Sequence, residues 1–416
     1  MSSFKPQGDF MRRIRLLALG GLASAILSCN DSTAPPALNT DTRGGRVPAY
    51  QFITLPETFS PTALNRKLAI VGLKLPANWP PVGVVWTPTE GVTALPLPPD
   101  AQWANPTSIN DRGEVAGITV FPTQGYQATH WDADGAVRTL GNAYYIPGAS
   151  VNNQGEVAWV EVLGPFSDPT GFGIWLSRPN GTQSIGILPY DPNENGDYFA
   201  PFRLTDKGGV LWGYGRWVYS RDRKWKQYTF PNDVTTKSLV DVNKFGTVIG
   251  SGYWLTIAGY SGFVWNQPDL PVALPKGFLP VRILDDGTML GQELVNSLQV
   301  PTIRKRDGTN APLPIPEAPA GYTFSGGFIF AATDEGQAVG FVTYVELNAE
   351  SPNVVGVSIL WTRTNGAPPQ ARLARAGKGL APLTDASRRA LCLHSAATNS
   401  ALCRNVAGLP RVAGRH

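Results

Sequence analysis

Histidine and cysteine are nearly missing from this chain. The 416 residues contain three of each. His394, His416, Cys392 and Cys403 all fall in the last stretch, and Cys29 lies near the start. So small an inventory excludes a metal centre built from a His and Cys cluster. The body keeps only His130, beside Trp131 in a strand-like run. It reads as a packed or surface residue rather than a catalyst. Catalytic fingerprints are missing too. There is no G-x-S-x-G elbow, no phosphate loop and no dinucleotide motif. No catalytic residue, metal ligand or cofactor is therefore assigned. Charge is also scarce, at 16% of residues. No helical apolar pattern of useful length follows residue 28. Long apolar runs are absent except for one near the N-terminus.

The net charge of +4 is unevenly placed. From Ala367 to His416, eight Arg and Lys face Asp385 alone, a net of +7. Residues 1–28 carry +3, so residues 29–366 stand at −6. The body is mildly acidic and lacks the basic face of a nucleic-acid binder. The 367–416 tail reads either as a disordered basic extension or as the product of a shifted reading frame. Cys392 and Cys403 could pair in an oxidising compartment.

What the chain has is 45 Gly, 37 Pro and 12 Trp. Such punctuation between short apolar runs is typical of an all-β domain. One nine-residue stretch, INDRGEVAG from Ile109, recurs. Its variants start at Val151, Leu204, Val242, Leu284 and Ala332, with a degenerate copy at Leu64 in which Leu68 replaces the glycine. The copy at Leu284 reads as one residue short. The turn glycines Gly113, Gly155, Gly208, Gly246, Gly287 and Gly336 are 42, 53, 38, 41 and 49 residues apart. A sustained period of roughly 45 residues marks a repeat architecture. In each copy an apolar residue ends a strand, Asn or Asp folds its side chain onto the backbone, and glycine supplies positive φ. That is a hairpin.

A second signature is an aliphatic run ending in Trp, at Trp86, Trp131, Trp175, Trp217, Trp265 and Trp361. Its missing member falls at Thr302-Ile303-Arg304. Turn residues and a further short strand follow, so each unit reads as two hairpins. Seven units of about four strands match a seven-bladed β-propeller. The Trp residues are expected to pack between blades. The strand around Phe52–Leu55 precedes the first repeat, while the last repeat lacks a final strand. We expect the N-terminal strand to complete the last blade, leaving no open sheet edge.

Together the two signatures resemble the HAF repeat family of extracellular bacterial proteins, most closely over Ala128–Gly155. The resemblance covers roughly Leu64–Gly366 and departs at Leu68, at the sixth copy and at the lost Trp. It implies a secreted repeat protein and brings no known active site.

Residues 1–28 read as an export signal. Arg12, Arg13 and Arg15 precede the apolar Leu16–Leu27, which is too short to span a membrane as a helix. Ile26-Leu27-Ser28-Cys29 resembles a bacterial lipobox, which implies lipidation of Cys29. Residues 29–47 then serve as a flexible tether, 48–366 as the propeller and 367–416 as the tail. Between two repeats, Asp191, Asn193, Asn195 and Asp197 resemble the start of a calcium loop. Phe202 stands where the closing Glu would be, so a polar inter-blade turn is preferred. The expected protein is an exported, lipid-anchored monomer at the cell envelope or surface, binding or scaffolding without catalysis. Its ligand would be a protein or polysaccharide. The alternative is a carbohydrate-active hydrolase or lyase with carboxylates from separate blades.

Overall fold

The computed structural model describes residues 49–364, except 57, 77–79, 145–147, 165–169, 190–201, 214–215, 221, 257–258 and 348–351. The expectations at Cys29, at 191–197 and in the 367–416 tail lie outside the described residues.

Seven four-stranded antiparallel sheets form the blades of a β-propeller. Within a blade, strands a to d run in chain order from the channel outward. Blade 2 shows the pattern, with β6 (Trp103–Ile109), β7 (Val115–Phe121), β8 (Gly125–Trp131) and β9 (Val137–Asn142). Blade 7 breaks the order. It joins β26 (Tyr322–Ala332), β27 (Ala338–Glu346) and β28 (Val354–Thr364) to β1 (Ala49–Thr54). Phe52 pairs with Trp361 and Ile53 with Leu360. The N-terminal strand thus closes the ring, as expected. Tyr50 strengthens the seam by donating its hydroxyl to the Gly336 carbonyl at 2.8 Å.

The core is seven separate layers, one between each pair of neighbouring blades. Trp131 packs in the layer between blades 1 and 2, Trp265 between 4 and 5, and Trp361 between 6 and 7. Each of these rings is essentially inaccessible. Each indole also donates to a carbonyl in the chain just after the preceding blade, at Pro96, Thr229 and Pro314. The signature Trp therefore both fills and staples an inter-blade layer.

Two expectations need correction. First, the sixth hairpin is full length. Leu284 donates to and accepts from the same turn positions as Asn110 does in blade 2. The copy looked short because Leu284 stands where the others have Asn or Thr. Second, Trp175 and Trp217 are not equivalent to the other Trp residues. Trp86, Trp131, Trp265 and Trp361 pair with the first residue of strand b, whereas Ser177 and Tyr219 take that place in blades 3 and 4. Trp175 and Trp217 sit two residues earlier, opposite Trp159 and Trp212. Arg304 holds the place in blade 6, with its guanidinium over the Phe278 ring.

The displacement goes with a second difference between the blades. In five blades the innermost strand carries a bulge, as between Pro106 and Ser108. The strand-b residue facing it is glycine in all five. A Cβ on Gly117 would lie 2.3 Å from the Asn105 carbonyl oxygen, and one on Gly340 would lie 1.9 Å from that of Phe328. No other residue fits there. Blades 3 and 4 carry Trp159 and Trp212 at this position, and the pairing there runs without a register shift. The final glycine of INDRGEVAG is thus the mark of a bulge.

Candidate functional site

The hairpins after the innermost strands ring one mouth of the central channel. Six of the seven turns begin with an Asn or Thr side chain that organises them locally; Leu284 begins the other. The Asn110 Oδ1 accepts the N–H groups of Arg112 and Glu114, both at 3.0 Å. This is the Asx turn expected from sequence. The same side chain has a second role. Its Nδ2 donates to the Asn152 carbonyl in the next blade at 2.8 Å. Asn65, Asn152 and Asn243 repeat this, reaching Asn110, Thr205 and Leu284. The following residue forms another link, from the N–H of Arg66 to Asp111, of Asp111 to Asn153, of Asn153 to Asp206 and of Lys244 to Asp285. The turns are therefore tied to one another around the mouth.

The innermost strands are tied in the same way. A bulge directs two successive side chains toward the neighbouring blade. Thr107 donates to the Ala149 carbonyl at 2.6 Å, and Ser108 accepts from the Val151 N–H at 3.1 Å. Ser150 accepts likewise from Leu204 at 2.9 Å. At this level of the channel the seven blades present Ala63, Ser108, Ser150, Arg203, Asp241, Arg282 and Ala331. Asp241 does the serine's work, since its Oδ2 accepts the Ile283 N–H at 2.9 Å. Its other oxygen receives both Arg203 and Arg282, the latter at 3.3 Å. Each arginine turns its second terminal nitrogen toward Asp334 Oδ1 of blade 7, at 2.7 Å from Arg282 and 3.8 Å from Arg203.

This four-residue cluster is the candidate site. It lies on the wall of a channel of about 1160 Å³. Asp241 is buried, whereas the Asp334 side chain is 48% exposed. Burial disfavours the charge on Asp334, but the field of Arg282 and Arg203 outweighs it and holds the carboxyl below its ordinary range. Burial and the mutual repulsion of the two guanidinium groups push Arg203 downward. At the mouth, burial of Asp111 is outweighed by its hydrogen bonds from Arg66, so it too titrates low. Around the rest of the ring the hydroxyl-bearing residues are engaged with backbone.

The sequence singled out none of these four residues. The signal lay one residue upstream of the repeat as aligned for Arg203 and Asp241, and two upstream for Arg282. Reading Ser108, Ser150, Arg203, Asp241 and Arg282 as one column would have shown a run of charge on three consecutive blades. Asp285 and Asp286 are turn residues, as expected from sequence. Asp285 accepts from Lys244, and Asp286 accepts from the Thr288 N–H. His130 is buried, with Nδ1 accepting from Arg138 at 3.2 Å. Burial first, then the Arg138 charge, push its pKa down. It faces no cavity described here and is a packed residue. Among the described residues no group of His, Cys, Asp and Glu is placed to hold a metal ion.

No family model matches the chain, and no curated protein matches it. Solved propellers do. The β-propeller domain of the trilobed protease from Pyrococcus furiosus, described as having an open velcro topology, is 11% identical. That match covers 72% of this chain and 92% of that one, with a TM-score of 0.45. Oligogalacturonate lyase from Vibrio parahaemolyticus is 10% identical over 74% and 90% of the two chains, with a TM-score of 0.44. TolB from Acinetobacter baumannii is 15% identical over 61% and 64%, with a TM-score of 0.33. At these identities the likeness is one of fold alone.

Proposed function

We propose that this is an exported, lipid-anchored β-propeller that binds a partner at the cell envelope or surface without catalysing a reaction. The observation that carries the reading is the engagement of Asp241, Asp334 and Asp111 with arginines. Asp241 is saturated by two guanidinium groups and a backbone N–H. Arginines beside Asp334 and Asp111 draw both carboxyls below their ordinary range. General-acid chemistry of the glycosidase type needs a carboxyl pushed the other way, upward toward neutrality. These carboxylates are arranged to hold cations and neighbouring strands instead.

The anchor rests on the sequence from Arg12 to Cys29. Two measurements test the reading. Cys29→Ser should move the protein from the membrane fraction to the soluble one; a wild-type protein already soluble after export refutes the anchor. The purified protein should bind at least one member of a polysaccharide and envelope-protein panel and leave it intact. Turnover of any polysaccharide refutes the non-enzymatic reading.

A further inference from the structure

We propose that Arg203 and Arg282 form a clasp for the carboxylate of a small organic ligand entering the channel, and that Asp334 fills the clasp when no ligand is bound. This rests on the reading of the protein as a binding propeller and names the chemistry of its site.

The geometry argues it. Asp241, buried on the wall, fixes one end of both guanidinium groups. Their other ends converge on a single oxygen, Asp334 Oδ1. One terminal nitrogen from each guanidinium, aimed at one point, offers a carboxylate two charge-assisted hydrogen bonds. The present occupant is held unequally, at 2.7 Å by Arg282 and 3.8 Å by Arg203. It sits on a hairpin turn with its side chain half exposed, where such a pair contributes little. Asp241 stays on the other terminal nitrogen of each arginine, at 3.3 Å from Arg282, and is itself fixed by the Ile283 N–H. An incoming carboxylate therefore exchanges with Asp334 without disturbing the buried pair. A channel of about 1160 Å³ beside the cluster has room for a sugar acid or a hydroxy acid.

An internal competitor lowers apparent affinity by the fraction of time the clasp is open. Removing it should tighten binding, which ordinary loss of a side chain does not do. The test is calorimetric titration of the full-length protein with glucuronate and with citrate, chloride being used to hold ionic strength constant. Tighter binding of glucuronate assigns a sugar acid, and of citrate a hydroxy acid. Asp334→Asn should raise affinity for the better of the two by about tenfold. Arg203→Gln should lower it by a similar factor, while Arg282 still pairs with Asp241. Asp286→Asn removes the same charge from an exposed turn on the same face and should change nothing. Equal gains from Asp334→Asn and Asp286→Asn overturn the clasp, because bulk charge then explains both. So does failure of both acids to bind the Asp334→Asn protein. In both cases the binding reading survives if a partner is found elsewhere, whereas turnover of a bound saccharide refutes that reading instead.

Discussion

Asn65→Asp separates two roles that the repeat asparagines combine. As a turn former, Asp is as good as Asn, because only the Oδ1 acceptor is used. That oxygen accepts the N–H groups of Lys67 and Ala69 at 3.0 and 2.9 Å. As an inter-blade staple, Asp fails. The Asn65 Nδ2 donates to the Asn110 carbonyl at 2.7 Å, and the side chain is buried. After substitution an anionic oxygen would face that carbonyl oxygen. The Asn110 carbonyl keeps the Gly113 N–H, so the cost is one hydrogen bond, about 1 kcal/mol, together with the repulsion between the two facing oxygens. The expected loss is thus about 1 kcal/mol or more at pH 7. The new carboxyl should titrate above its unfolded value, since only its protonated form can donate to Asn110. The penalty should therefore shrink as pH falls below that raised value and be largest at neutral pH. Urea unfolding at pH 7 and at pH 4.5, compared with wild type, measures both effects. A loss under about 0.5 kcal/mol at pH 7, the range of an inert surface change, refutes the staple.

Gly113→Val should cost about 1–3 kcal/mol, because φ is +91° and a Cβ there meets no other atom, so the strain is purely conformational; an unchanged melting temperature would show that the turn relaxes freely. His130 should make stability fall as pH drops through the ordinary histidine range of about 6.5, because its depressed folded pKa lets the unfolded chain bind the proton first. His130→Gln should flatten that segment of the stability–pH curve, and an identical curve assigns the slope elsewhere. Deleting residues 1–56 removes β1, exposes the edge of β28 and should produce aggregation, whereas deleting 367–416 should leave the melting transition unchanged. A stable monomer after the first deletion would mean that blade 7 does not need its borrowed strand.

The blade count, the seam and the inter-blade Trp residues were legible because they rest on period and turn chemistry, which a sequence displays directly. The seam followed from counting alone: one strand too many before Leu64 and one too few after Trp361. Leu68 shows why degenerate copies can still be counted. It holds φ at +64° and keeps the turn without glycine. The errors fell where two residues trade places across strands. Trp175 continued the spacing of its signature well enough to be counted with it, yet its partner is Trp159 rather than the first residue of strand b. Nothing in one strand reports its register against another when both faces are buried. The charged cluster was illegible for a different reason. Arg203, Asp241, Arg282 and Asp334 lie between 38 and 131 residues apart, and only ring closure gathers them.

Asp241 shows how a site can be built on such a scaffold without weakening it. Ser108 and Ser150 spend their oxygens on the N–H of the next blade. A carboxylate at the same position makes that link with one oxygen and has a second to spare. The spare oxygen orients two arginines that would otherwise repel each other. Scaffold and site thus share one side chain, and the two contributions can be measured apart. Asp241→Ala removes the staple and the ion pairs together. Asp241→Ser removes only the ion pairs, since its hydroxyl can still accept the Ile283 N–H. Both should be destabilised, because each leaves two arginines facing each other at a partly buried site. The serine variant should be the more stable by about 1–3 kcal/mol, the cost of leaving that buried N–H unpaired. If the two variants unfold at the same denaturant concentration, the link to Ile283 contributes nothing, and Asp241 is there for the arginines alone.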